Sequence, residues 1–305
     1  MLLNYYLELL GIKEMPEFLK KYLETPSLTR LKKVGYFCGM DYASKNIYSF
    51  KEYISRYDHS LSVALLTYKL TKDKKATLAG LFHDIATPCF SHVIDYMNND
   101  FVTQESTEEF TEKIIRNDKH ILECLKKDNI ALDDIVDFKK YTIVDNNRPK
   151  ICADRIDGII LTGIAWTKNI DRDDITKIVA SLTVYINEYD EEEIGFSDMD
   201  ITKKVIEVNE SIDLYCTSIH DNYMMLLLAE ITKYLINNSY ISYNDLYTYD
   251  EEQLLELIKS IDNSELKELF SKFENITKEE IPNFELPKLK KRIINPLVNG
   301  KRFDN

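Results

Sequence analysis

The chain is short of the residues that interrupt regular structure. Among its 305 residues there are eight glycines and seven prolines, too few for a collagenous, repetitive or disordered chain. The glycines are scattered, with neither a GxGxxG nor a GxxxxGK[ST] arrangement, which excludes glycine loops that cradle phosphates. Five cysteines, Cys38, Cys89, Cys124, Cys152 and Cys216, are odd in number, widely spaced and free of any CxxC. That pattern predicts buried free thiols in a reducing compartment. Basic charge is also in deficit: 39 Lys and Arg stand against 52 Asp and Glu, a net charge of −13. A basic surface for non-specific nucleic-acid binding is therefore excluded, and an anionic substrate would need a local cationic patch. Long apolar runs are absent too. The opening MLLNYYLELLGIKEMPEF is interrupted by Glu8, Lys13 and Glu14 with no cleavage site after it. It reads as neither signal peptide nor membrane span, so a cytoplasmic location without membrane partners is expected.

What remains is helical periodicity. Leu61, Ala64, Leu65 and Tyr68 fall at i, i+3, i+4, i+7. Leu266, Leu269, Phe270 and Phe273 repeat the spacing, with Ser264 or Asn263 as N-cap. Thr277 and Glu280 form a capping-box pattern before Pro282. The one short strand candidate is YTIVD (141–145), and the fold class is all-α. Three stretches read as punctuation: NNDFVTQEST (98–107), DNNRPK (145–150), and the acidic run EYDEEEIGFSDMD (188–200), read as a solvated loop or a frayed helix end. A composition shift near residue 170 separates residues 1–170 from a C-terminal helical region, 171–305, expected to pack on them.

Histidine is scarce as well, with five in the chain, and two of them lie in ATLAGLFHDIATPCFSH (76–92). An adjacent His83-Asp84 pair at the end of an apolar run would be costly to bury without a partner. His59, His83, Asp84 and Asp154 together offer two imidazoles and two carboxylates, an N/O set suited to a divalent metal ion (Mn, Fe, Mg, Co or Zn). Side chains of adjacent helical residues point about 100° apart, so His83 and Asp84 converge on one ion most easily at a helix end. The Ala86-Thr87-Pro88 that follows fits such an end. A second His-Asp pair, His220-Asp221, precedes an apolar helix and is assigned to capping, and His120 to a helix surface.

The ordered motifs carry a resemblance. TPSLTRLKKVG (25–35), RYDHSLSV (56–63), HDIATPCFSHVID (83–95) and DRID (154–157) are similar to the HD-domain phosphohydrolases. The branch they most resemble contains the deoxynucleoside triphosphate triphosphohydrolases. The likeness spans residues 20–165, about half of the chain, with motifs over 25–157. It implies an HD-domain helical core within residues 1–170 and an additional C-terminal helical region. It implies His59, His83, Asp84 and Asp154 as metal ligands and Arg56 and Arg155 as phosphate contacts. His92 would serve as an acid or phosphate contact oriented by Asp95, with Glu105 as the carboxylate of a further catalytic pair. A homo-oligomer is implied as well. Four positions depart from the branch. Thr87 and Gln104 stand where histidines are expected, Gly158 replaces a sugar-packing tyrosine, and Tyr36 replaces a base-recognising glutamine.

These features predict a metal-dependent phosphohydrolase acting on a nucleotide or related phosphate ester, with a rewritten pocket for sugar and base. Two alternatives belong to other classes. One is a nucleotide-binding sensor or scaffold with little turnover, favoured by Thr87 and Gln104. The other is a helical interaction module whose His-Asp pair is structural. The basic cluster Lys288, Lys290, Lys291 and Arg292 reads as a solvated helix face, with binding of phosphate or of a neighbouring subunit as the alternative.

Overall fold

A computed structural model describes residues 1–104 and 106–303, Lys13 by its backbone alone. Among them are fifteen α-helices and one small four-stranded sheet, so the chain is all-α in class. The site is organised by a helical hairpin. Ser55 caps the helix Arg56–Thr71 in a capping box with Asp58. That helix ends at Lys72 in the left-handed conformation, φ 59°. Asp73 then caps the helix Lys74–Phe82 by accepting from the Lys75 and Ala76 amides. The two helices pack closely, burying Leu61, Val63, Leu66, Leu78, Leu81 and Phe82 between them and their neighbours. Each such side chain contributes roughly 1.5–3 kcal/mol by leaving water. The helix Ala153–Thr162 lies against Arg56–Thr71, which brings sequence positions near 59 and 154 together. It continues into a π turn at Gly163–Thr167, where a Cβ on Gly163 would sit 2.4 Å from Ile170.

One apolar cluster runs from Leu3 to Ile294. The helix Met199–Cys216 packs on Ala153–Thr162, and the helix Ile219–Asn237 packs on Val93–Met97. The five cysteines are free, Cys89 and Cys152 fully buried. No helix among the described residues is long and apolar enough to cross a membrane.

Three expectations are corrected. YTIVD forms a turn, not a strand: Val144 and Asp145 donate back to the Tyr141 carbonyl, and the Ile143 and Val144 carbonyls accept from Ala153 and Asp154. The acidic run instead contains the strand Glu192–Phe196, paired antiparallel with Leu182–Ile186 and parallel with Leu297–Val298. Its charge misleads because Glu193 is fully buried and held by both guanidinium nitrogens of Arg302, at 2.7 and 2.9 Å, a partner 109 residues away. The basic cluster at 288–292 is not a helix face. Residues 282–296 run as a strap without regular secondary structure, with Lys288 and Lys291 exposed and Lys290 and Arg292 turned to a cavity.

Candidate metal centre

The apolar helix Lys74–Phe82 stops at Phe82, and His83 occupies its C-cap. His83 keeps helical dihedrals, φ −57° and ψ −38°, and Asp84 follows in the turn, its Oδ1 3.8 Å from His83 Nε2. His83 Nδ1 lies 2.7 Å from the Gly80 carbonyl. A carbonyl only accepts, so Nδ1 carries the proton and Nε2 faces inward. Opposite, His59 Nδ1 lies 2.7 Å from Asp157 Oδ2, while its Nε2 lies 3.0 Å from Asp154 Oδ1 and 3.7 Å from Asp84 Oδ2. Asp157 is fully buried and its other oxygen accepts from the Tyr6 hydroxyl at 2.6 Å. A carboxylate behind a histidine is the arrangement that orients metal-ligating imidazoles.

The ligand atoms of His59, His83 and Asp154 lie within 4.8 Å of one another. His83 Nε2 is the diagnostic atom. It is buried with no hydrogen-bond partner, its nearest carboxylate oxygens 3.6 Å away on Asp154 and 3.8 Å away on Asp84. Those are ion-pair distances, too long for hydrogen bonds. A buried nitrogen aimed at a gap between two carboxylates fits a divalent cation, as does the mixed N/O donor set. Electrostatics agree. Burial works against charge on His83, yet Asp84 and Asp154 overcome it and lift its pKa to about 10. Burial likewise opposes the charge of Asp84, and His83, Arg56 and His59 together pull it down to about 2. Asp154 is held well below the usual carboxylate range against burial by its contacts to His59 and His83. The field that retains these protons is the field a cation would replace them in. Asp145, Cys152 and Asp154 form a second group close enough to share an ion.

The other expected residues surround this point differently. Arg56 is buried and donates to Asp84 Oδ2 at 2.8 Å, to Ser91 Oγ at 3.1 Å and to the Tyr36 carbonyl at 3.4 Å. Arg155 spends its guanidinium on Asn146 Oδ1, the Asn146 carbonyl and the Lys150 carbonyl, holding the 146–150 turn in place. Both still line the cavity. His92 also lines it, with Nδ1 2.8 Å from Asp95 Oδ2. Asp95 is fully buried and its other oxygen accepts from the Ser106 amide at 3.0 Å. Glu105 lies outside the described residues. Gln104 lines the cavity; Thr87 is fully buried, and its carbonyl accepts from Arg30.

The cavity holds about 760 Å³, within the range of small-molecule sites. One wall is aromatic: Phe37 stacks on Phe50 at 4.4 Å and meets Trp166 edge-on at 6.0 Å. The departures at Tyr36 and Gly158 are coupled. A Cβ on Gly158 would lie 2.7 Å from the Tyr36 hydroxyl, so the phenol occupies the space above the glycine. The Tyr36 ring also packs 4.9 Å from His59 and 4.8 Å from the Arg56 guanidinium. Three contributors escaped the sequence reading. Asp157 stood within the quoted DRID motif, its role signalled only by the spacing to Asp154. Arg148 and Asp221 carried no signal, since the cavity that gathers them is assembled from distant segments.

Residues 56–157 match the family model of the HD domain, the stretch that supplies His59, His83, Asp84 and Asp154, so the chain contains an HD domain. That family generally comprises metal-dependent hydrolases. The chain is also 25% identical over 252 residues to Uncharacterized protein YdhJ of Bacillus subtilis (strain 168), covering 80% of this chain and 74% of that relative.

Proposed function

We propose that the protein is a metal-dependent phosphohydrolase acting on a nucleotide or a related phosphate ester, akin to the deoxynucleoside triphosphate triphosphohydrolases but with an altered pocket. The observation that carries this reading is the buried, unpartnered His83 Nε2 facing the carboxylates of Asp84 and Asp154 in the lining of a substrate-sized cavity. His59, His83, Asp84 and Asp154 would hold the ion, and a divalent ion in such a set lowers the pKa of water and polarises a phosphoryl oxygen. Arg56 fixes Asp84 and leaves a cationic face beside it, where charge developing on phosphate oxygen is offset. Arg155 holds the 146–150 turn that borders the same space. His92, hydrogen-bonded to Asp95, would hand a proton to the leaving oxygen. The aromatic wall of Phe37, Phe50 and Trp166 supports a base-bearing ester over inorganic phosphate.

A nucleotide panel incubated with the Mn²⁺-loaded protein tests this reading. The expected result is phosphate, pyrophosphate or triphosphate release that disappears in Asp84→Ala. Tight nucleotide binding without any release would instead favour the sensor or scaffold, which the loss of histidine at Gln104, on the cavity wall, supports.

A further inference from the structure

The cavity wall carries charge beyond that of the His59, His83, Asp84 and Asp154 cluster. Arg148, Lys290 and Arg292 all line it, drawn from the 145–150 turn and from the strap 282–296. The strap is anchored where it crosses. The Lys290 amide donates to the Phe101 carbonyl at 2.9 Å and the Asn295 amide to the Pro149 carbonyl at 2.8 Å. The Arg292 amide donates to Asp213 Oδ1 at 2.7 Å, and Asn209 donates to the Arg292 carbonyl. Along the strap, Lys288 and Lys291 go to solvent while Lys290 and Arg292 are half-buried. The sorting of four neighbouring cations into two outward and two inward is fixed by these backbone bonds.

Each inward cation makes one contact to a backbone carbonyl. Arg148 reaches Ile293 at 3.3 Å, Lys290 reaches Thr103 at 2.9 Å, and Arg292 reaches Lys290 at 3.5 Å. Among the described residues, no carboxylate forms an ion pair with any of the three. Arg148 acts unfavourably on Lys290, and Arg292 acts unfavourably on both. Burial, then the charges of Arg155 and Arg292, depresses Arg148 to about 10, and burial, then Arg292 and Arg148, lowers Lys290. Asp154 acts favourably on both, which places them within electrostatic reach of the metal centre. Arg292 differs: burial works against its charge, but Cys216, Asp221, Tyr96 and Asp213 outweigh it and raise its pKa. Arg148 and Lys290, half-buried with spare donors and with Arg292 as a charged neighbour, are costly unless an anion joins them. Two guanidinium forks and an ammonium suit tetrahedral phosphoryl oxygens.

We propose that Arg148, Lys290 and Arg292 form a phosphoryl-anion subsite, closed by the C-terminal strap and separate from the four metal-facing side chains. Its link to catalysis rests on the hydrolase reading above; its existence as an anion site does not. The phosphoryl group it takes is either a remote phosphate of the bound ester or a free phosphate held beside it.

Calorimetric titration of the full chain with inorganic phosphate tests the subsite. Lys290→Gln and Arg148→Gln are expected to weaken binding by about 10- to 100-fold, the effect of removing one charge-assisted hydrogen bond. Lys290→Arg retains it, and Lys288→Gln, altering an exposed neighbour, leaves it unchanged. Thermal melting confirms that each variant is folded. His83→Ala separates the two readings, because it removes a metal-facing side chain and is expected to keep the phosphate site. Competition with a nucleoside triphosphate identifies the source. Displacement of phosphate marks a site for the ester's own phosphate, and simultaneous binding marks a site for a separate anion. Binding by folded Lys290→Gln and Arg148→Gln equal to that of the unaltered chain would overturn the proposal, as would the absence of phosphate binding in both the unaltered chain and His83→Ala.

Discussion

The chain contains the same dipeptide twice, and the two copies live in opposite environments. At His83-Asp84 the helix ends, His83 faces Asp154, Asp84 faces His59, and Asp84 is held near 2 by the cations around it. At His220-Asp221 the helix is beginning, with Ser218 as its cap. There Asp221 lines the cavity, accepts from the Tyr48 hydroxyl at 2.7 Å, and is pushed up to about 6 by burial against the pull of Tyr48 and Arg292. His220 is half-buried and takes no part. A histidine beside an aspartate is therefore no site in itself. The difference lies in convergence: one copy is met by His59 and Asp154 from two other helices, the other by a phenol.

The comparison breaks most readily through activity. His92→Ala is expected to lower turnover by about 10²–10⁴-fold, the usual contribution of one general acid, without altering bound metal. His220→Ala should leave both unchanged; steady-state rates and metal analysis on the two variants check this. Equal losses from both substitutions would place the second dipeptide in the chemistry. The carboxylates standing behind each pair give the next effect. Asp157→Asn, which weakens the support of His59, should reduce metal affinity by about 10–100-fold, read by titration of metal-stripped protein. Tyr48→Phe, which removes the partner of Asp221, should leave metal affinity intact and cost on the order of 1 kcal/mol of stability.

Proton linkage sharpens the contrast further. Asp221 titrates at about 6 in the folded chain and at roughly 3.9 when unfolded, so folding favours its neutral form. The stability from that preference is complete below about pH 4 and is lost as pH rises through 6, by up to roughly 1.4 kcal/mol per unit. Asp221→Asn should flatten this slope in denaturant titrations between pH 4 and 7. An unchanged slope would show that burial does not hold the proton on this carboxyl.

The smallest effect concerns what the sequence could and could not disclose. His59, His83, Asp84 and Asp154 could be singled out because each lies in a short ordered motif that resembles a known family; helix periodicity and caps alone mark none of them as a ligand. Tyr36 and Gly158 were legible singly, as departures, but their contact was not, since 122 positions separate a hydroxyl from the Cα it covers. Gly158→Ala should cost about 1 kcal/mol, within the ordinary range for mild overpacking, and Tyr36→Phe should relieve it in a double-mutant cycle. The strap and the buried strand at 192–196 were illegible for the same reason. Lys290, Arg292 and Glu193 carry surface chemistry in sequence, and only partners far along the chain turn them inward.

The central claim is that His59, His83, Asp84 and Asp154 clasp one divalent cation. Elemental analysis of protein loaded with Mn²⁺ and freed of excess ion tests it directly, on the unaltered chain, His83→Ala and His220→Ala. Retention of the ion by the unaltered chain and His220→Ala, and its loss from His83→Ala, is the predicted result. An unaltered chain that holds no ion, or a His83→Ala variant that keeps it, would contradict the account.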